Sequence, residues 1–301
     1  MTGIAADTPA VPLGKRLRRA IEAAGVRLAF SLFGALPVDA ASAFGGAIAR
    51  TIGPRLGISR RARHNLARVM PDLDAAAIEA IVAASWENLG RTAAELPHLR
   101  AIVADPARVE IVGGENIDLL AGDGRPGIFV TAHLANWELL VPVILATGID
   151  LSVVYRMANN PAAEAAIQRA RGGNVGGYMP KGGATARRIM EIMRQGGHVG
   201  LLVDQKTNNG IAAPFFGRDA MTTPIVGLCA QRFDCPVVPT QVIRLKGTRF
   251  RLVFHPPLDL PRNADGRVDP PGATAAINLK LEEFVRAHPG QWMWMHRRWP
   301  D

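Results

Sequence analysis

The sequence predicts an α/β protein: a mixed sheet flanked by helices, behind an N-terminal part made of helices alone. Three observations predict it. From about Arg108 onward, short Val- and Ile-rich runs recur (VEIVGG, GIFVTA, LSVVYR, HVGLLVD, PVVPTQVIR, FRLVFH), with helical patterns between several of them at 136–147, 161–171 and 183–195. Before that point, residues 15–100 are Ala-rich and carry apolar positions at the 3.6-residue period. Finally, 301 residues with 48% hydrophobic and 20% charged side chains can bury a sizeable core, as one large domain or a main domain with a small appendage.

Taken in order, residues 1–14 read as a loose tail, which lacks the basic and apolar regions of a cleaved signal peptide. Residues 15–100 read as a helical part with breaks at Pro37, Gly53–Pro54 and Pro71. Within it, Leu28 to Ala49 reaches the length of about 20 residues needed for a bilayer span, but Pro37, Asp39 and three glycines interrupt it. Upstream stand Lys15, Arg16, Arg18, Arg19 and Arg27. Basic residues beside an apolar hairpin suit a segment lying in an anionic membrane interface; a core hairpin next to a solvated basic helix is the plainer alternative. Residues 101–301 form the α/β core, closing with a polar turn segment (PRNADGRVDPPG) and a last helix at 273–288.

Charge points to partners. The formal net charge is +9 and the sequence pI about 10.5, which favours an acidic protein or an anionic membrane face. Nucleic acid is the weaker option, because no aromatic–basic RNA-reading pattern is present. Cys229 and Cys235 form no CxxC and have no histidine at a zinc spacing, so they read as reduced core thiols and no metal site is expected.

The chemistry concentrates at HLANWE, residues 133–138, between an apolar strand and an apolar helix. Five residues of continuous α-helix would leave His133 and Glu138 about 140° apart, and an odd spacing in a strand puts them on opposite faces. A strand–turn–helix junction lets them meet. Asn136 then serves as N-cap, Glu138 sits in the first helical turn, and His133 stands at the carboxyl end of the strand, where open α/β sheets place ligands. In this reading Glu138 accepts from one ring nitrogen and the other is free as a base. Pro142, lacking an N–H for the Glu138 carbonyl, is expected to kink the helix. A structural histidine bonded to backbone remains the alternative.

HLANWE resembles the HX4(D/E) signature of the lysophospholipid-type acyltransferases. VVYRMANNP, HVGLLVDQ, APFFGRDAMTTP, the ending WMWMHRRW and RHNLARVMPDL at 63–73 are similar to the lipid A biosynthesis lauroyl/myristoyl acyltransferases, and the resemblance runs from about residue 15 to 301. It implies a glycerol-phosphate acyltransferase-like core and transfer of a fatty acyl chain from acyl carrier protein, as donor substrate and with no cofactor, to a hydroxyl of a lipid A precursor. It also implies work at the cytoplasmic face of the inner membrane on an anionic lipid. Acyltransferases for other bacterial glycolipids share the family, and a thioester or ester hydrolase using the same His–Glu pair, or a non-catalytic membrane-binding protein, are the alternatives. The resemblance implies His133 as the general base with Glu138 as its partner. Arg156 matches the family's YR motif and is the candidate oxyanion donor or phosphate ligand. Asp204, followed by Gln205, orients Arg156 or caps the next turn, and both, with Asn136, are candidate substrate-binding residues. Arg171 and Lys181, with the glycines between them, are candidates for an anion-binding loop. Phe215 and Phe216 suit an apolar wall for an acyl chain, and HRRW reads phosphate or carrier protein if it is not simply a solvated tail.

Overall fold

The structure, a computed structural model, describes residues 12–121, 124–172, 177–180 and 182–300. Its N-terminal part is helical: α1 (Leu13–Ala35), α2 (Val38–Ile52), α3 (Ser59–Val69), α4 (Ala75–Glu95) and α5 (Leu99–Ala104). The breaks fall where backbone chemistry requires them. Pro37 stands immediately before α2, and Gly53 and Pro54 open a 3-10 turn after it. Asp74 caps α4, its Oδ1 accepting from the Ala77 N–H at 2.7 Å, a contact worth about 1 kcal/mol. Most of the expected loose tail, residues 1–11, lies outside the described residues, while Leu13 and Gly14, assigned to that tail, already belong to α1.

α2 crosses α4 at a separation that only glycine permits. A Cβ on Gly45 would stand 2.6 Å from the Ala94 Cβ, and one on Gly90 would stand 2.3 Å from the Gly45 carbonyl oxygen. The apolar run at 28–49 is therefore divided. Its small residues Ala41, Gly45 and Gly46 are buried, while Leu28, Leu32, Phe44 and Ile48 remain exposed. Among the described residues no helix is long and apolar enough to cross a membrane.

The rest of the chain alternates: β1 (Val109–Val112), α6 (Glu115–Asp118), β2 (Gly127–Thr131), α7 (Leu140–Ala146), β3 (Leu151–Tyr155), α8 (Pro161–Ala170), β4 (Tyr178–Pro180), α9 (Thr185–Arg194), β5 (His198–Leu202), β6 (Ile211–Phe215), β7 (Arg218–Thr222), α10 (Ile225–Phe233), β8 (Val237–Lys246), β9 (Arg249–Phe254) and α11 (Pro270–Ala287). Seven strands form one sheet in the order β1-β9-β8-β2-β5-β3-β4. β8 and β9 pair antiparallel and the other neighbours pair parallel, so the sheet is mixed, as the sequence predicts. The six apolar runs are six of its strands; three-residue β4 carries no comparable signal.

β2 lies near the middle of the sheet and is buried at every position. Ile128 and Val130 face one core with Val199, Leu201 and side chains of α10 and α11; Phe129 faces a second core with Val238 and Phe254. A strand covered on both faces reads as an unbroken apolar run rather than an alternation. Leu66 and Val69 of α3 and Val82 of α4 join the first core, so the N-terminal helices share it with the sheet.

α4 ends on a buried charge. Both oxygens of Glu95 are occupied: Oε1 accepts from Ser42 Oγ at 2.6 Å and Arg244 Nη1 at 2.5 Å, and Oε2 from Asn136 Nδ2 at 2.8 Å and Arg244 Nη2 at 3.1 Å. Removing one partner of such a pair leaves the other charge buried and uncompensated. Arg244→Met should lower the unfolding free energy by about 3–5 kcal/mol in denaturant melts. The double replacement Arg244→Met, Glu95→Leu should recover part of that loss, because no charge is then left stranded.

Candidate active site

The register of β2 against β5 builds the site. These strands run parallel with Thr131 opposite Leu202, and the Val203 N–H continues the ladder to the Thr131 carbonyl at 3.2 Å. Two residues beyond the paired ends, the chain arrives at His133 on one strand and Asp204 on the other. The His133 ring donates from Nδ1 to Asp204 Oδ1 at 2.8 Å, and the His133 backbone N–H donates to Oδ2, also at 2.8 Å. Trp292 Nε1 is the third donor to the carboxylate, reaching Oδ2 at 2.8 Å. Asp204 has no exposed surface. Burial pushes its carboxyl up, but the charge and hydrogen bonds of His133 outweigh that and hold it well below the usual carboxylate range.

The remaining ring nitrogen, Nε2, faces the half-buried amide of Gln205, whose Nε2 donates to it at 3.3 Å. Both contacts describe one tautomer: proton on Nδ1, lone pair on Nε2. The Trp137 ring packs edge-on against the imidazole at 5.0 Å.

The turn after His133 is held by its backbone. Ala135 has φ 48°, a left-handed conformation that a non-glycine residue adopts only when its surroundings impose it. Its carbonyl accepts from Asn88 Nδ2 and Thr92 Oγ1, each at 3.0 Å, and its N–H donates to the Gln291 carbonyl at 3.0 Å. Leu134 bridges Trp292 backbone to backbone. A 3-10 turn at Trp137–Leu139 then leads into α7, and Pro142 falls in the first turn of α7, where an N–H has no partner within that helix.

This backbone path corrects the expected His133–Glu138 pairing. The 3-10 turn carries Glu138 to Arg171 instead, which grips it with Nε at 2.9 Å and Nη2 at 2.6 Å. The Arg171 guanidinium also lies over the rings of Tyr155 and Tyr178, at 5.6 and 5.3 Å. Arg171 is thus committed to a buried ion pair rather than to an open anion-binding loop; Lys181 and residues 173–176 of that loop lie outside the described residues. Asp204 belongs to His133 and does not orient Arg156. Arg156 stands exposed just past β3 and joins no ion pair among the described residues. Asn136 occupies the cap position, but its side chain makes no cap bond; it donates to buried Glu95.

Phe215 and Phe216 are core rather than an acyl-chain wall. They are nearly fully buried and pack against Trp292, Trp294 and Trp299. The segment APFFGRDAMTTP folds as the antiparallel hairpin β6–β7, with Phe216 and Gly217 supplying the two positive φ values of a type I′ turn. The C-terminal HRRW is likewise not a solvated tail. His296 Nε2 approaches the Asp204 carbonyl at 3.2 Å, and Arg298 is fully buried, bonded to Thr222 Oγ1 at 2.8 Å and Asn278 Oδ1 at 3.1 Å. Burial pushes both cysteine thiols up to about 12, which leaves neither as a nucleophile near neutral pH. Asn88 and Thr92 hold the site yet carried no local signal, and Trp292, which opens the WMWMHRRW motif, gave none of its contact with Asp204: each acts on a residue tens to hundreds of positions away.

Beside Arg171 lies a cavity of about 310 Å³, lined by Leu99, Pro142, Leu145, Ala146 and Tyr178 among others. A histidine whose Nδ1 is held by a buried carboxylate and whose Nε2 carries a free lone pair is built to take a proton from a hydroxyl.

A sequence model of the family described as bacterial lipid A biosynthesis acyltransferase matches residues 14–301. No curated protein matches the chain.

The depressed carboxyl of Asp204 makes a pH prediction. Its contribution to folding stability is fully present above the ordinary unfolded value of about 3.9 and is lost as pH falls below it toward the folded value. In denaturant melts between pH 6 and 3, wild type should therefore lose stability more steeply than Asp204→Asn, which has no carboxyl to protonate.

Proposed function

The chain belongs to the bacterial lipid A biosynthesis acyltransferase family, and from that premise we propose that it moves a fatty acyl chain from acyl carrier protein to a hydroxyl of a lipid A precursor, with His133 as general base and Asp204 as its partner. The observation that carries this reading is the His133 ring, held through Nδ1 by a buried carboxylate with Nε2 turned to the half-open side. Nε2 takes the proton of the acceptor hydroxyl as that oxygen attacks the thioester carbonyl. The tetrahedral intermediate then collapses, the C–S bond breaks, and the proton passes from His133 to the departing thiolate. Asp204 fixes the tautomer and stabilises the imidazolium. The attacking oxygen is the acceptor's own, so no enzyme nucleophile and no cofactor take part.

Arg156 stands exposed one residue past β3, which pairs in parallel with β5, the strand that leads to Asp204. There it serves the oxyanion or a phosphate of the acceptor. The cavity next to Arg171 takes part of the acyl chain.

The membrane surface supplies the lipid. Leu13, Leu17, Ile21, Leu28 and Leu32 are exposed on α1 and fall within an arc of about 100°. Phe44, Ile48 and Ile52 do the same on α2. Each helix thus offers one apolar stripe, flanked on α1 by Lys15, Arg16, Arg18 and Arg27, the pattern of a helix lying in a membrane interface, and the inner membrane's cytoplasmic face is the surface we propose.

Purified protein, labelled acyl carrier protein and a lipid A precursor test the chemistry. Acylated lipid should form only with acceptor present. His133→Ala and Asp204→Asn should each lower kcat by about 10²–10⁴-fold, and Glu138→Gln by less, because it loosens Arg171 rather than the base. Free fatty acid released at full rate without acceptor would show a hydrolase and overturn the reading. For the membrane face, Leu17→Glu with Ile21→Glu should reduce co-sedimentation with anionic vesicles by at least about tenfold, since each buried aliphatic side chain is worth about 1.5–3 kcal/mol.

A further inference from the structure

The structure assigns Trp292 as the positioning residue of the His133–Asp204 pair: its indole N–H and its backbone together hold the carboxylate and the histidine in one closed circuit. The inference rests on the proposed role of His133 as base, and concerns how that base is kept in register.

The circuit runs through four residues. His133 donates twice to Asp204, from the ring to Oδ1 and from the backbone to Oδ2. Trp292 Nε1 donates to the same Oδ2 at 2.8 Å. The Trp292 backbone pairs with Leu134, the residue next to His133. A carboxylate held by one ring contact can rotate about its Cβ–Cγ bond and exchange oxygens. Two further donors on Oδ2, converging from different chain segments, block that rotation and keep Oδ1 for the imidazole.

The choice of indole has a chemical reason. A tryptophan N–H is a donor only and does not titrate, so Asp204 keeps this partner at every working pH. Trp292 is itself held: it is 1% exposed, Ser85 Oγ donates to its carbonyl at 2.5 Å, and its ring packs against Phe215, Trp294, His296 and Trp299. Trp294 and Trp299 of the same cluster donate to the backbone carbonyls of Pro289 and Phe215 instead. Shared packing therefore does not explain the contact with the carboxylate.

The charged and titratable groups facing Asp204 are His133, His296 and Arg298. Burial pushes His296 down, and its Nδ1 is turned to the Met293 carbonyl. Arg298 acts on Asp204 through charge alone, its guanidinium being bonded to Thr222, Asn278 and the Met221 carbonyl.

Trp292→Phe keeps a ring and removes the donor; Trp294→Phe removes a comparable donor that does not reach Asp204. In the full-length protein, Trp292→Phe should lower kcat for acyl transfer about tenfold, the range for a hydrogen bond to a charged group, with KM changed less than about twofold. The acid limb of its kcat/KM–pH profile should move to higher pH, because a carboxylate with one donor fewer holds the imidazolium more strongly. Trp294→Phe should leave kcat and the profile unchanged. With ¹⁵N-labelled histidine, the His133 ring signals should show the Nδ1–H tautomer in wild type and a mixture of tautomers in Trp292→Phe. Should Trp292→Phe fail to fold, a benzothienylalanine at 292 keeps the indole shape without the N–H and should give the same changes. Unchanged kcat, profile and ring signals in these variants, or an equal loss in Trp294→Phe, would overturn the inference. Absence of transfer by wild type would overturn the proposed function instead, and the His133 ring signals alone then decide the role of Trp292.

Discussion

Three N–H groups converge on the buried carboxylate of Asp204, and the rest of the site depends on that convergence. A carboxylate without exposed surface costs several kcal/mol to desolvate, and stays ionised because charge-assisted bonds replace its water. Here the donors come from the end of β2 and from the C-terminal segment, while the carboxylate follows β5. One side chain thus ties two strand ends and a chain terminus together. The contact that orients the imidazole is also the contact that closes this end of the sheet, so folding and pre-organisation of the base rest on the same bonds.

Behind the histidine, α4 performs a second, separate task. It offers Asn88 and Thr92 to the carbonyl of Ala135, and keeps that residue in a left-handed conformation it would not adopt alone. Both side chains lean on Arg244, whose guanidinium is anchored by Glu95. α4 in turn is crossed closely by α2 through Gly45 and Gly90. The exposed apolar stripe of α2 and the turn carrying His133 are therefore two sides of one packed helix pair. The apolar stripe exposed on one side of the pair is therefore joined to the turn on the other without a flexible joint between them.

The buried acids of this region share a pattern. Asp204 is matched by His133, Glu138 by Arg171 and Glu95 by Arg244. Because these acids are neutralised locally, the exposed Arg156 after β3 and Lys206 after β5 stand at the carboxyl edge of the sheet with no ion pair among the described residues. Glu138, although it sits in the motif that first draws attention, contributes to this arrangement by fixing Arg171 between two tyrosine rings rather than by touching the base.

By itself the sequence determined the class of fold, six of the nine strands among the described residues, the helical N-terminal part and the histidine around which the candidate site is built. These follow from local causes: apolar period, breaks at Pro and Gly, and a histidine where a buried strand ends. It also brought Asp204 and Gln205 to notice as residues at another strand end. Only the tertiary structure decided which carboxylate serves His133. Spacing along the chain favoured Glu138, five residues away. The register of β2 against β5 chose Asp204, 71 residues away. The same limit hid Asn88, Thr92, Arg244 and the contact of Trp292 with Asp204, and made Phe215 and Phe216 resemble a binding wall when they are core. A side chain's local neighbours are set by the backbone period, which sequence displays. Its partners across the sheet are set by strand register and by where a distant segment packs, and these are fixed only when the whole core closes.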